Sequence, residues 1–176
     1  MRGTTAAIVH ALKYGGWREL APRMGADMAR LRFDAVVERE LAAVVPVPLS
    51  AARLRERGFN QAELLGGAVA ERRDLPFLPD ALVRERHTRR QARLSPRERL
   101  ANVTGAFRLR TDRRAAVEDA HLLLVDDVLT TAATVQDCVR ALCLGGARAV
   151  SVLTFARARP ELPRVAGRAS GSACDG

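Results

Sequence analysis

Two adjacent carboxylates, Asp126 and Asp127, follow an apolar run and are themselves followed by three hydroxyls, Thr130, Thr131 and Thr134. The segment LLLVDDVLTTAAT, residues 122–134, therefore passes from a strand-like stretch through acids and hydroxyls into a stretch with helical spacing. A helix start offers unpaired backbone N–H groups and a partial positive charge, so a phosphate seated there gains charge-assisted hydrogen bonds, and threonine hydroxyls add donors. Carboxylates beside it would repel a bare phosphate. They fit if they face a sugar and accept hydrogen bonds from ribose hydroxyls, or if they hold a magnesium ion through oxygen ligands. The chemistry predicted is the binding of a ribose 5-phosphate, with Asp126 and Asp127 as the candidate catalytic pair and magnesium ligands. Acids and threonines also cap helices at ordinary strand-to-helix turns. Two acids and three threonines within residues 126–134 exceed what a cap requires.

Other nucleotide-handling patterns that place an acid after a strand do not fit. A Walker-type acid needs a G-x-x-x-x-G-K-[ST] loop elsewhere, and an acid pair of the response-regulator kind belongs to the first strand and needs a late lysine. Lys13 is the only lysine, and it lies in neither setting.

The surrounding pattern supplies the elements that must hold these residues. Thr4 or Thr5 starts a short helix that ends at Gly15 and Gly16, and a second helix is expected over residues 17–31. Residues 41–47 (LAAVVPV) read as a strand buried on both faces and stopped by Pro48. An arginine-rich loop follows, then a helix over 60–72 and a short strand at Leu82 and Val83. Residues 84–104 turn polar and basic and read as a long functional loop, with a brief helix opened by Ser95, Pro96 and Glu98. Strands are expected over 106–109, 121–125 and 149–155, with a helix over 134–144 closed by Gly145 and Gly146. Strand, helix and strand at this spacing form a right-handed crossover on a parallel sheet, which binds ligands beyond the carboxyl ends of its strands. The site is thus expected at residues 126–134.

Composition bounds the rest. A chain of 176 residues with 48% apolar content can bury one domain core, and aromatics at only 4% favour helices packed on a sheet, an α/β class. The net charge of +9, with 29 basic residues nearly all arginine, points to phosphate-bearing partners. Cys138, Cys143 and Cys174 are too few and too irregular for a disulfide framework or a four-ligand zinc site, so no zinc is expected in this chain. No signal-like or membrane-spanning run is visible, which leads to the expectation of a cytoplasmic protein without membrane insertion. From Ala158 onward apolar periodicity is lost, so a disordered tail over 158–176 is expected behind a domain at 1–157, divided into N-terminal helices (1–40) and core (41–157).

The segment VDDVLTTAAT resembles the phosphoribosyl pyrophosphate motif of type I phosphoribosyltransferases. Around it the chain resembles the ComF family (ComF/GntX-like proteins), through VPVPLSAARLRERGFNQA at 45–62 and HTRRQARLSPRERLANVTGAF at 87–107. The resemblance implies a mostly parallel sheet flanked by helices, with a mobile hood over 84–104. It assigns Asp126 and Asp127 to the ribose hydroxyls and Thr130, Thr131, Ala132, Ala133 and Thr134 to the 5-phosphate. Pro46, Val47 and Pro48 become the pyrophosphate loop, and Arg86, Arg89, Arg90 and Arg93 become hood residues. The activity implied is a glycosyl transfer, phosphoribosyl pyrophosphate with magnesium giving up its phosphoribosyl group to a nitrogen acceptor. His87 is a candidate general base. The alternative implied is a non-catalytic ComF-like module linked to DNA uptake, in which Arg53, Arg55, Arg57 and the hood arginines contact single-stranded DNA. Expected partners are phosphoribosyl pyrophosphate or a nucleotide, with single-stranded DNA, competence proteins and a second copy of the chain as further candidates. The chain departs from the family at Ala132, where glycine is usual: alanine resists a positive φ, but costs nothing if the position is helical. It also starts after the point where ComF proteins commonly carry a four-cysteine zinc module.

Overall fold

The structure, a computed structural model, describes residues 4–14, 18–85, 105–130 and 132–158. The expected helix at Ser95, most of the basic loop with its arginines Arg86, Arg89, Arg90 and Arg93, His87, Thr131 and nearly all of the expected tail lie outside the described residues.

In chain order the elements are α1 (Thr4–Tyr14), α2 (Leu20–Ala29), α3 (Ala35–Glu40), β1 (Leu41–Pro46), α4 (Ala51–Arg57), α5 (Gln61–Arg73), β2 (Leu82–Arg84), β3 (Phe107–Leu109), α6 (Arg114–Val117), β4 (His121–Leu129), α7 (Ala132–Leu144) and β5 (Ala149–Arg157). The sheet runs β1-β4-β5, and both pairings are parallel. Phe77 extends the outer side of β1, its neighbours exchanging hydrogen bonds with Val44 at 2.8 and 2.9 Å. β2 and β3 form a separate antiparallel pair, joining Arg84 to Phe107 and Leu82 to Leu109. This is the α/β architecture expected from the sequence, a parallel sheet flanked by helices.

The strand composition explains the layers. Leu122 to Val125 in β4 and Val44 and Val45 in β1 are wholly buried, as an apolar run in a parallel sheet must be when helices cover both faces. Alternation divides them. Leu122, Leu124, Ala43 and Val45 pack with Ala133, Val135, Cys138, Ala141 and Leu142 of α7. Leu123, Val125 and Val44 pack on the other face with Leu65, Val69 and Ala70 of α5 and Ala21, Met24 and Met28 of α2. Helices α2 and α5 approach closely at Gly25, where an added Cβ would lie 2.5 Å from the Ala68 methyl, so the contact requires glycine.

The structure differs from expectation at four elements. The arginine-rich stretch after Pro48 is not a loop: α4 occupies it, opened by the Ser50 hydroxyl accepting from the Arg53 N–H at 3.4 Å and closed at Gly58. None of its residues is buried, so it has no apolar stripe to betray it. Helix α3, capped by Asp34, was hidden for the same reason. The third correction concerns β4, which does not stop at Val125 but continues to Leu129. Its partner β5 continues beside it, pairing Asp126 with Thr154, Val128 with Ala156 and Leu129 with Arg157, so the ladder persists through the acids where the apolar run ends. Helix α2 also starts later than expected, at Leu20. No helix among the described residues is long and apolar enough to cross a membrane.

Candidate functional site

The loops after β1 and β4 leave neighbouring parallel strands for opposite faces of the sheet. After β1 the chain continues into α5, which packs on the face of Leu123 and Val125. After β4 it continues into α7, which packs on the face of Leu122 and Leu124. Neighbouring strands whose connections diverge in this way open a crevice beyond their carboxyl ends, the usual ligand position in open α/β sheets. The register brings Pro46 opposite Val125, so the expected pyrophosphate loop lies beside the expected acid pair.

Asp126 and Asp127 lie within the strand, and consecutive strand residues point to opposite faces. Asp126, half-buried, continues the Leu122 and Leu124 row that meets α7. The α7 thiol of Cys138 registers it: burial pushes that thiol's pKa well up, and the Asp126 carboxylate adds to the shift. Asp126 Oδ1 also accepts the Asp127 N–H at 2.8 Å. Asp127 is only 7% exposed and belongs to the opposite row. Asp126 is therefore the acid on the side where α7 and the turn expected to hold the phosphate begin.

The turn itself is short. Thr130 is exposed, and Ala132 already opens α7, with Ala133 buried and Thr134 half-buried in the first turn. Among the described residues only Asp74 and Asp119 combine a side chain with a positive φ, so Ala132 is helical and needs no glycine. The departure from the family pattern is structurally neutral.

On the β1 side, Pro46 and Val47 are buried and Pro48 is half-buried. The Val47 N–H donates to the Val125 carbonyl at 2.9 Å, and the Val47 carbonyl accepts the Asn60 side-chain amide at 3.1 Å. Asn60 also accepts the Ala62 N–H at 3.1 Å and so caps α5. One buried side chain thus starts the helix and holds the loop. The helix was expected to include Asn60 rather than to be capped by it, and the grip of Asn60 on Val47, thirteen residues away, has no local signal.

Basic groups approach from two elements. Arg84, at the end of β2, is half-buried with its guanidinium 5.1 Å over the Phe107 ring. Burial lowers its pKa and the positive charge of Arg53 lowers it further, so α4 and β2 bring two arginines into one field. Arg53 and Arg55 are exposed on α4, whereas Arg57 is half-buried and donates to Gln61 Oε1 at 2.9 Å.

The described residues hold no group of three or more His, Cys, Asp or Glu that could cage a metal ion. Because Asp126 and Asp127 point to opposite faces, a magnesium ion there could take only one of the two carboxylates, with water and ligand phosphates as its remaining ligands.

A parallel sheet with this divergence at β1 and β4 thus carries an acid pair in the last half of its central strand and a threonine, Thr130, just ahead of α7. No family profile matches the chain. The chain is 34% identical over 157 residues to DNA utilization protein YhgH of Salmonella typhi, covering 85% of this chain and 66% of that protein. It is 35% identical over 116 residues to Competence protein F of Haemophilus influenzae, covering 66% of this chain and 50% of that protein. Competence protein ComFC of Bacillus subtilis matches at 32% over 143 residues, 81% of this chain and 55% of that protein. The chain belongs to the ComF family, and it spans between half and about two thirds of these relatives' length. Among solved structures, one described as the allosteric regulatory enzyme of purine biosynthesis overlaps with a TM-score of 0.46 at 22% identity, over 78% of this chain and 25% of that chain.

Proposed function

We propose that the crevice beyond β1 and β4 binds phosphoribosyl pyrophosphate and that the protein is a phosphoribosyltransferase. The observation that carries this reading is the switch point itself, which brings the Pro46 to Pro48 loop beside Asp126 and the turn into α7. The turn suits a 5-phosphate, through the N–H groups of the first turn of α7 and the hydroxyls of Thr130, Thr131 and Thr134. Asp126 suits a ribose hydroxyl, and the Val47 loop, held by Asn60, suits the pyrophosphate. Arg53 and Arg84 offset charge on that leaving group. Magnesium, held by Asp126 or Asp127 together with the ligand's phosphate oxygens, would supply further charge neutralisation.

In the reaction a nitrogen lone pair forms the new bond to the anomeric carbon while the bond to the pyrophosphate oxygen breaks. Pyrophosphate leaves with the electron pair, and the nitrogen loses its proton to solvent or to a base such as His87. No covalent intermediate with the protein is needed; the residues position, neutralise and exclude water.

Titration calorimetry with magnesium phosphoribosyl pyrophosphate tests the reading, together with the melting temperature, which must rise if the ligand binds the folded state alone. Asp126→Asn is expected to abolish the ligand-induced shift with little change in the melting temperature of the free protein. Absence of binding by wild-type protein at millimolar ligand would overturn the proposal.

A second reading is favoured by the exposed Arg53 and Arg55 on α4 and by relatives named for DNA utilization and competence. In it the same face contacts single-stranded DNA. Its affinity would fall steeply with salt as condensed counterions are released, which the sugar-phosphate site would not require.

A further inference from the structure

Asp137, in the second turn of α7, is 4% exposed and has no part in the chemistry assigned above. Its Oδ1 accepts the Gly105 N–H at 2.8 Å, and its Oδ2 accepts the Ala106 and Phe107 N–H groups at 2.8 and 3.1 Å. Arg140 closes the cluster, with Nε 3.1 Å and Nη2 3.0 Å from Oδ1. Three consecutive amides turned toward one anion make a concavity of the kind that elsewhere captures a free anion. Gly105 contributes the left-handed φ of +73° that the concavity needs. Here the anion is built into the protein. A buried carboxylate accepting this many charge-assisted bonds is a stiff joint.

The two pieces joined are the ones the proposed site depends on. Helix α7 starts at the phosphate turn, at Ala132. Gly105 to Phe107 lead into β3, and the opposing β2 carries Arg84, whose guanidinium lies over the Phe107 ring. The Glu85 N–H donates to the Ala106 carbonyl at 2.9 Å, so the grip on Ala106 extends to β2 as well. The hydrophobic contacts between α7 and this pair would tolerate sliding; three directed hydrogen bonds to one carboxylate do not.

Resting on the phosphoribosyl pyrophosphate reading, we propose that Asp137 is a positioning residue that sets the separation between the phosphate turn and the β2/β3 pair bearing Arg84. The 5-phosphate and pyrophosphate ends of one ligand are then gripped together. A joint of this kind acts only on a ligand long enough to engage both pieces. Ribose 5-phosphate reaches the turn and the acid pair, whereas phosphoribosyl pyrophosphate also presents its pyrophosphate to the arginine side.

The test compares calorimetric affinities of wild-type protein, Asp137→Asn and Arg140→Ala for these two ligands with magnesium, each well below the variant's melting temperature. Asp137→Asn is expected to weaken phosphoribosyl pyrophosphate about tenfold or more, the scale on which misplacement of a supporting group is felt, while ribose 5-phosphate stays within about threefold. Arg140→Ala, which loosens the carboxylate without touching the amides, should shift the same ratio in the same direction, and it carries the test alone if Asp137→Asn does not fold. Equal losses for both ligands would show a purely structural role and overturn the inference, as would unchanged affinities. Wild-type protein that binds neither ligand would instead overturn the phosphoribosyl reading itself, and the inference with it.

Discussion

At the scale of single residues, the acid pair divides its labour by strand geometry. Asp126 faces the helix that opens at the proposed phosphate turn, while Asp127 is buried in the opposite row, so the two carboxylates are not interchangeable. Replacing Asp127 by asparagine should lower the melting temperature, since it alters a buried charged group, whereas Asp126→Asn should act mainly on ligand. Ala132 illustrates the same point about local geometry. Because it is helical, Ala132→Gly gains no useful backbone freedom and instead loses up to about 1 kcal/mol of helix stability. Denaturant titration should show that loss, and calorimetry should show phosphoribosyl pyrophosphate affinity no tighter than wild type. Tighter binding would mean that the bound turn demands a conformation alanine resists.

At the scale of elements, α5 and the loop proposed to hold the pyrophosphate share one fastening. The Asn60 amide holds the Val47 carbonyl while its oxygen caps the helix. Asn60→Ala removes both and leaves a buried carbonyl without that donor, a cost of about 2 kcal/mol from the cap and the hydrogen bond together. Chemical denaturation measures that cost, and the loop's release should weaken pyrophosphate more than ribose 5-phosphate. Asn60→Asp, which keeps the cap but not the donated hydrogen bond, separates the two: it should recover helix stability and not pyrophosphate affinity.

At the scale of the whole molecule, acids far apart in sequence are held ionised by hydrogen bonds and by neighbouring arginines. Glu38 is lowered below the ordinary carboxylate range by the Phe33 N–H, with Arg73 adding its charge, and Asp80 is lowered by its hydrogen bond from Arg113. A carboxylate whose folded pKa lies below its unfolded value contributes stability that is full above the unfolded value, about 4, and is lost as pH falls through the folded value. Melting temperature should therefore decline below about pH 4, and these groups should add no slope between about pH 6 and 8. Thermal melts across that range check it. Glu38→Gln should flatten the acid limb, and an unchanged limb would show that the pair contributes nothing in solution.

What could be read from the sequence alone is what depends on neighbours in the chain. The apolar runs at β1, β4 and β5, the helical spacing of α5 and α7 and the acid-and-hydroxyl turn at 126–134 are local patterns, and with them came the parallel α/β architecture and the family resemblance. Helix α4 escaped because none of its residues is buried, so it shows no apolar stripe, and its folding rests on a serine cap and a glycine stop. The far end of β4 escaped because pairing with β5, not hydrophobicity, carries the strand past the acids. Tertiary structure alone decided the opposite faces taken by α5 and α7, the two orientations of the acid pair, and the closure of Asp137 on the Gly105 to Phe107 amides. Each of these depends on groups that are distant in sequence and meet only once the sheet has fixed their register, so no local pattern encodes them.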